Sequence, residues 1–162
     1  MNGSHTISRR IEIDMAHRVP DHGSKCRNLH GHRYVIEAVC SGALGEVGPE
    51  RGMVLDFGFL KEEMIAAIHD PCDHAAVLWA DDPLLANLAG AAAKGAAPGS
   101  RVASPFGPVL VLSFTPTAEN LARYWFEALA PRVAARSGGR AQLRELRVHE
   151  TPNSTATYSG AG

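Results

Sequence analysis

Cys26, His30 and His32 fall within seven residues, in the segment Cys26-Arg27-Asn28-Leu29-His30-Gly31-His32, and a further imidazole, His17, lies a loop upstream. A thiol beside converging imidazoles has the makings of a metal site with a nucleophile or base next to it. His30 and His32 are two apart, so on an extended strand both rings leave the same face, as a tetrahedral ion asks of paired ligands. His17 supplies a third corner. Three imidazoles alone leave a coordination position open, as a catalytic zinc requires. Cys26 as a fourth ligand would instead close the shell into a structural zinc, and its distance of four residues from His30 permits that too. Beside a dication the Cys26 thiolate would be stabilised, fitting it to abstract a proton or attack an electrophile near neutral pH.

Two further groups could do chemistry. Asp73-His74 follows the end of a helical pattern, where a carboxylate can orient an imidazole and raise its basicity; the same dipeptide also suits an ordinary turn with a solvated histidine. Glu150 ends the inward phase of a strand after Leu146 and Val148, where a charge is costly unless something pairs with it. It invites a ligand carrying adjacent N–H donors, or a structural ion pair with Arg144 or Arg147. Cys40 lies in the apolar phase of a strand and reads as a small core residue, while nothing near Cys72 argues for a role. His5, His22, His69 and His149 read as surface or packing residues, and Glu119 is explained by the helix dipole.

Strands must position the histidines. Over residues 7–17, Ile7, Arg9, Ile11, Ile13, Met15 and His17 alternate with Ser8, Arg10, Glu12 and Asp14, the period of a half-buried strand. In a second strand Tyr34, Ile36, Ala38 and Cys40 share one face and His32 continues their phase. Paired antiparallel, the two strands aim their histidines at one side, and the loop 18–29 folds Cys26 back over the rings. Leu60, Met64, Ala67 and Ile68 mark a helix capped by Asp56 and ended at His69-Asp70-Pro71. A short helix is expected within 82–94, a mobile surface loop over 95–108, and a buried strand over 109–114. Thr117 caps a helix that turns Leu121, Trp125 and Leu129 inward, and residues 143–150 form a last strand. The order is that of an α+β domain.

A chain of 162 residues supports one domain, 1–162, with a proper core. Its 45% hydrophobic and 20% charged content is that of a globular protein, and a formal net charge of -1 removes the electrostatic drive toward nucleic acid or anionic lipid. Small-molecule partners are expected. Met1 to Arg10 is polar, no run approaches the roughly 20 apolar residues of a membrane span, and three scattered cysteines fit a reducing compartment, so a cytoplasmic location is expected.

Six segments in this order resemble the 6-pyruvoyl-tetrahydropterin synthase and 6-carboxytetrahydropterin synthase family. They are Met15-Ala16-His17-Arg18-Val19-Pro20, Cys26 with His30-Gly31-His32, Gly52-Met53-Val54-Leu55-Asp56-Phe57 with Leu60-Lys61, Asp73-His74, Pro116-Thr117-Ala118-Glu119-Asn120-Leu121-Ala122, and Glu150-Thr151. The resemblance implies the tunnelling fold: a four-stranded antiparallel sheet with two helices on one face, oligomerising into a β-barrel, usually as a homohexamer of two stacked trimers with active sites between subunits. It implies that His17, His30 and His32 bind Zn2+, that Cys26 is the catalytic thiol, and that Asp73 and His74 relay protons. Glu150 with Thr151 would anchor a pterin ring, and Thr117 would line the substrate pocket from across the interface.

The three residues between Cys26 and His30 resemble the bacterial 6-carboxytetrahydropterin synthases of queuosine biosynthesis, whose substrate is 7,8-dihydroneopterin triphosphate. A 6-pyruvoyl-tetrahydropterin synthase, which eliminates triphosphate, and a non-catalytic zinc-containing pterin-binding module are the alternatives. The chain departs from the family pattern at Ile13, at Leu78-Trp79, and in an insertion of about thirty residues at about 79–108, which bears on the pocket rim.

Overall fold

The structure, a computed structural model, describes residues 4–160. Strands β1 (His5–His17) and β2 (His30–Gly42) pair antiparallel along their whole length. Their alternation is the expected one: Ile11, Ile13, Met15, Tyr34, Ile36, Ala38 and Cys40 are buried on one face. Helix α1 (Phe57–Met64) is capped by Asp56, whose Oδ1 accepts from the amides of Gly58 and Phe59. The helical path does not end at His69-Asp70-Pro71. It continues through a π-helical turn (Ile65–His69) into α2 (Asp70–Cys72), and Pro71 sits just after that wider turn.

Strand β3 (Ala76–Trp79), helix α3 (Pro83–Ala89) and strands β4 (Arg101–Val102) and β5 (Val109–Leu112) follow. Helix α4 (Ala118–Arg136) and the hairpin β6 (Ala141–Thr151) and β7 (Ser154–Ser159) complete the chain. Among the described residues the sheet has seven strands in the order β4-β5-β3-β1-β2-β6-β7 and is mixed. This corrects the expectation of a four-stranded antiparallel sheet: β1, β2, β6 and β7 are the antiparallel part, and β3 and β5 extend it in parallel. The 95–108 stretch expected to be a loose loop contributes β4 and folds against a small apolar cluster of Leu78, Leu85, Ala89, Val109 and Val111.

The main core lies between the apolar sheet face and the two long helical segments. Leu60, Met64 and Ile68 pack with Leu121, Trp125, Leu129 and Val133 against β1, β2 and β6. Leu129 is fully inaccessible, so Leu129→Ala is expected to lower unfolding free energy by about 2–5 kcal/mol, read from the urea midpoint at constant m-value.

Candidate active site

The β1–β2 register sets His17 opposite His30 and Met15 opposite His32. All three imidazoles therefore gather at one end of the hairpin, with ring centroids 4.6, 5.3 and 5.0 Å apart. One ligand nitrogen from each lies within 4.8 Å of the others. Backbone carbonyls choose the tautomer: His17 Nδ1–H donates to the Pro116 oxygen and His30 Nδ1–H to the Asn28 oxygen, both at 2.7 Å. Each Nε2 then keeps its lone pair for an ion, the usual support for a metal-binding histidine. His32 Nε2 is buried without a hydrogen-bond partner, an arrangement that is costly unless something outside the chain occupies it. Burial, first among the causes, holds His17 and His32 below the ordinary imidazole range, so both favour the neutral, ligating form. The donor set fits a divalent metal ion. Cys26 is not part of this group of three.

Cys26 lies on a single 3₁₀ turn (Lys25–Arg27) and lines a cavity of about 240 Å³ together with His17, His30, Thr117 and Glu150. Glu150 comes from β6 where the β6–β7 register shifts between His149 and Thr151. Its Oε1 stands 3.5 Å from His17 Nε2 and 3.8 Å from His32 Nε2. The arginine partners considered for it are engaged elsewhere, Arg147 with Glu145 and Glu37, Arg144 with the Ser41 hydroxyl. Glu150 is thus left to the cavity. Thr117 lines that cavity from its own chain, not only across an interface, while its hydroxyl accepts the Asn120 amide as the α4 cap. Thr151 pairs with Ser154 and is not among the cavity-lining residues.

Tyr34 is a member that sequence reasoning took only for core. Its hydroxyl lies 3.0 Å from His17 Nε2 and donates to Glu150 Oε1 at 3.3 Å. Burial, with the Glu150 charge second, pushes the phenol far above its ordinary range, so it remains a donor. Its sequence signal was its position two after His32 on the same strand face. His22, read as a surface residue, lines the cavity, as do Ser154, Thr155 and Ala156 of β7.

Asp73 and His74 form a pair, with His74 Nδ1 donating to Asp73 Oδ2 at 2.7 Å. His74 takes a positive φ of 55°, held by its own amide donating to the Asp14 oxygen at 2.7 Å, while the Asp14 amide donates to Asp73 Oδ1 at 2.9 Å. The His74 side chain is 77% exposed and lines a separate cavity of about 750 Å³ with Asp14, Arg33 and Phe106. Within one chain the pair and Cys26 do not share a cavity.

The profile of one protein family, described as 6-pyruvoyl tetrahydropterin synthase, matches residues 6–161. The chain belongs to this family. A 6-carboxy-5,6,7,8-tetrahydropterin synthase from Haemophilus influenzae is 32% identical over 94% of this chain and 96% of its own length. One of the same description from Rickettsia felis is 32% identical over 90% and 94%. Among solved structures, an uncharacterised Wolinella succinogenes protein superposes with a TM-score of 0.78 at 23% identity, over 98% of this chain and 99% of that one. The Caenorhabditis elegans 6-pyruvoyl tetrahydropterin synthase does so with 0.62 at 24% identity, over 98% and 97%. These two likenesses bear on the fold.

The Asp14 amide, first among the causes, holds the Asp73 carboxyl below the usual carboxylate range. A depressed carboxyl adds stability above its unfolded pKa, about 3.9, that is lost as pH falls through the folded value. Asp73→Asn is therefore expected to flatten the fall in melting temperature below about pH 4, measured against wild type across the acid range.

Proposed function

We propose that this chain is a zinc-dependent 6-carboxy-5,6,7,8-tetrahydropterin synthase, acting on 7,8-dihydroneopterin triphosphate with release of acetaldehyde and triphosphate, in queuosine biosynthesis in the cytoplasm. The observation that carries this reading is the convergence of three metal-competent imidazoles, two of which, His17 and His30, line one cavity with Cys26 and Glu150. The product branch is supported by the three residues between Cys26 and His30 and by the descriptions of the Haemophilus and Rickettsia relatives.

His17, His30 and His32 would hold the zinc, which when bound supplies a Lewis acid that polarises the substrate's side-chain hydroxyls. Cys26 takes a proton from the side-chain carbon next to the ring, and Glu150 accepts the ring N–H groups in a paired, charge-assisted contact. Tyr34 steadies Glu150 by donating to its Oε1. Thr117 flanks the ring from the cavity wall. Asp73 and His74 relay protons, and because His74 lines a different cavity from Cys26, the pair reaches the reacting carbons from a neighbouring copy. That requirement agrees with a homohexamer of two trimers whose antiparallel strands close into a barrel.

The test is incubation of the zinc-loaded protein with 7,8-dihydroneopterin triphosphate and identification of the pterin by mass. A 6-carboxy product is expected. A pyruvoyl product would move the protein to the sister activity, and unchanged substrate with tight pterin binding would leave a binding module.

A further inference from the structure

The loop that carries Cys26 starts immediately after His17, and none of residues 18–30 is buried. Such a segment has no core packing to hold it and depends on a few polar contacts. One of these comes from the insertion. Arg18 Nε donates to Asp82 Oδ2 at 2.8 Å; the Asp82 side chain is wholly inaccessible and that of Arg18 is 22% exposed. Asp82 is itself fixed before it meets Arg18, since its Oδ1 caps α3 by accepting from the Leu84 amide at 2.8 Å and its amide donates to the Trp79 oxygen at 3.0 Å. A carboxylate cut off from water requires an answering charge, and Arg18 is the cation that meets it.

On the far side of Arg18 the loop closes on itself. The Val19 amide donates to the Cys26 oxygen at 2.9 Å, and the His22 amide to the Val19 oxygen at 3.0 Å. A continuous path of short contacts therefore runs from the β3–α3 turn through Asp82, Arg18 and Val19 to Cys26, with His17 next in the chain. We propose that the Arg18–Asp82 ion pair positions the Cys26 thiol, the insertion clamping the 18–26 loop in place over the metal-binding imidazoles. Arg18 and Asp82 are positioning residues that touch no substrate. The turnover part of the test rests on the proposed synthase activity; the thiol part does not.

The experiment measures the rate at which a chromogenic aromatic disulfide modifies the native, metal-loaded protein. Cys40 and Cys72 are buried, and burial raises both thiols to about 12, so the rate reads Cys26. In Arg18→Met and in Asp82→Asn the rate is expected to rise about fivefold or more, with metal content retained and Arg18→Lys close to wild type. Where turnover is present, kcat falls about tenfold while KM stays within about twofold, since a misplaced thiol costs orientation and not binding. Asp82→Asn keeps the shape and the helix cap, so it decides the matter if Arg18→Met fails to fold. A wild-type modification rate in a folded variant overturns the proposal, as does a lowered melting temperature without a faster rate, which would make the pair a support of the fold alone. A wild-type protein without turnover would sink the synthase reading and leave the thiol rates to judge the clamp.

Discussion

His32→Ala is expected to reduce bound metal from about one ion per chain to below about a tenth, measured by elemental analysis after desalting. His32 is the cleanest of the three positions to change because its Nε2 makes no hydrogen bond within the chain, whereas His17 also secures the Pro116 carbonyl. A structural zinc ion contributes about 10–16 kcal/mol of apparent binding free energy, so losing one of three imidazoles removes roughly 3–5 kcal/mol, or a factor of roughly 10² to 10⁴ in affinity. The difference in melting temperature between metal-loaded and metal-free protein should vanish in the variant, since a ligand stabilises only through its affinity for the folded state.

Acid should act on the same site in wild type. Burial depresses His17 and His32, so the stability tied to their neutral forms is present above the unfolded imidazole value of about 6.5 and is lost as pH falls through the folded one. Protons and metal compete for the same Nε2 atoms, and metal loss on acidification is expected over that interval. Retention of full metal by His32→Ala would show that the three imidazoles are not the ligands.

Cys26→Ala is expected to lower kcat by about 10² to 10⁴, the span of a general acid–base contribution, with bound metal unchanged. The second condition follows from the geometry, because Cys26 lines the cavity beside His17 and His30 without belonging to the group of three that could hold a metal. Cys40→Ala and Cys72→Ala remove thiols buried in the core and should alter stability without a comparable loss of turnover. Metal loss in Cys26→Ala would make the thiol a ligand, and full turnover would remove it from the chemistry.

Much of the site was legible because its signals are local. Strand alternation set the phase of His17 and His32, the two-residue spacing set His30 beside His32, and Asp56 and Thr117 declared helix starts that the amides of Gly58, Phe59 and Asn120 bear out. Strand β7, Ser154–Ser159, was not legible, since its alternation rests on Ala156 and Tyr158 alone in a run of serines and threonines, too short and polar to stand out before β6 pairs with it. Strand β3 was hidden in a four-residue run, Ala76–Trp79, too short to distinguish from the end of the helix before it. Tyr34 read as core because a buried phenol and a buried phenylalanine ring have the same period; only the meeting with Glu150, 116 positions away, makes it a donor to the site.

By itself the sequence determined which side chains could bind a metal and supply a thiol, and on which face of β1 and β2 they stand, because strand period and residue chemistry are properties of neighbours in the chain. Tertiary structure alone decided that Glu150 Oε1 comes within 3.5 Å of His17 Nε2, that His74 lines a different cavity from Cys26, and that Asp82 reaches across 64 positions to Arg18. Those are meetings of residues far apart in sequence, set by strand register and by the closing of the sheet's long connections, and no local pattern encodes the distance between them.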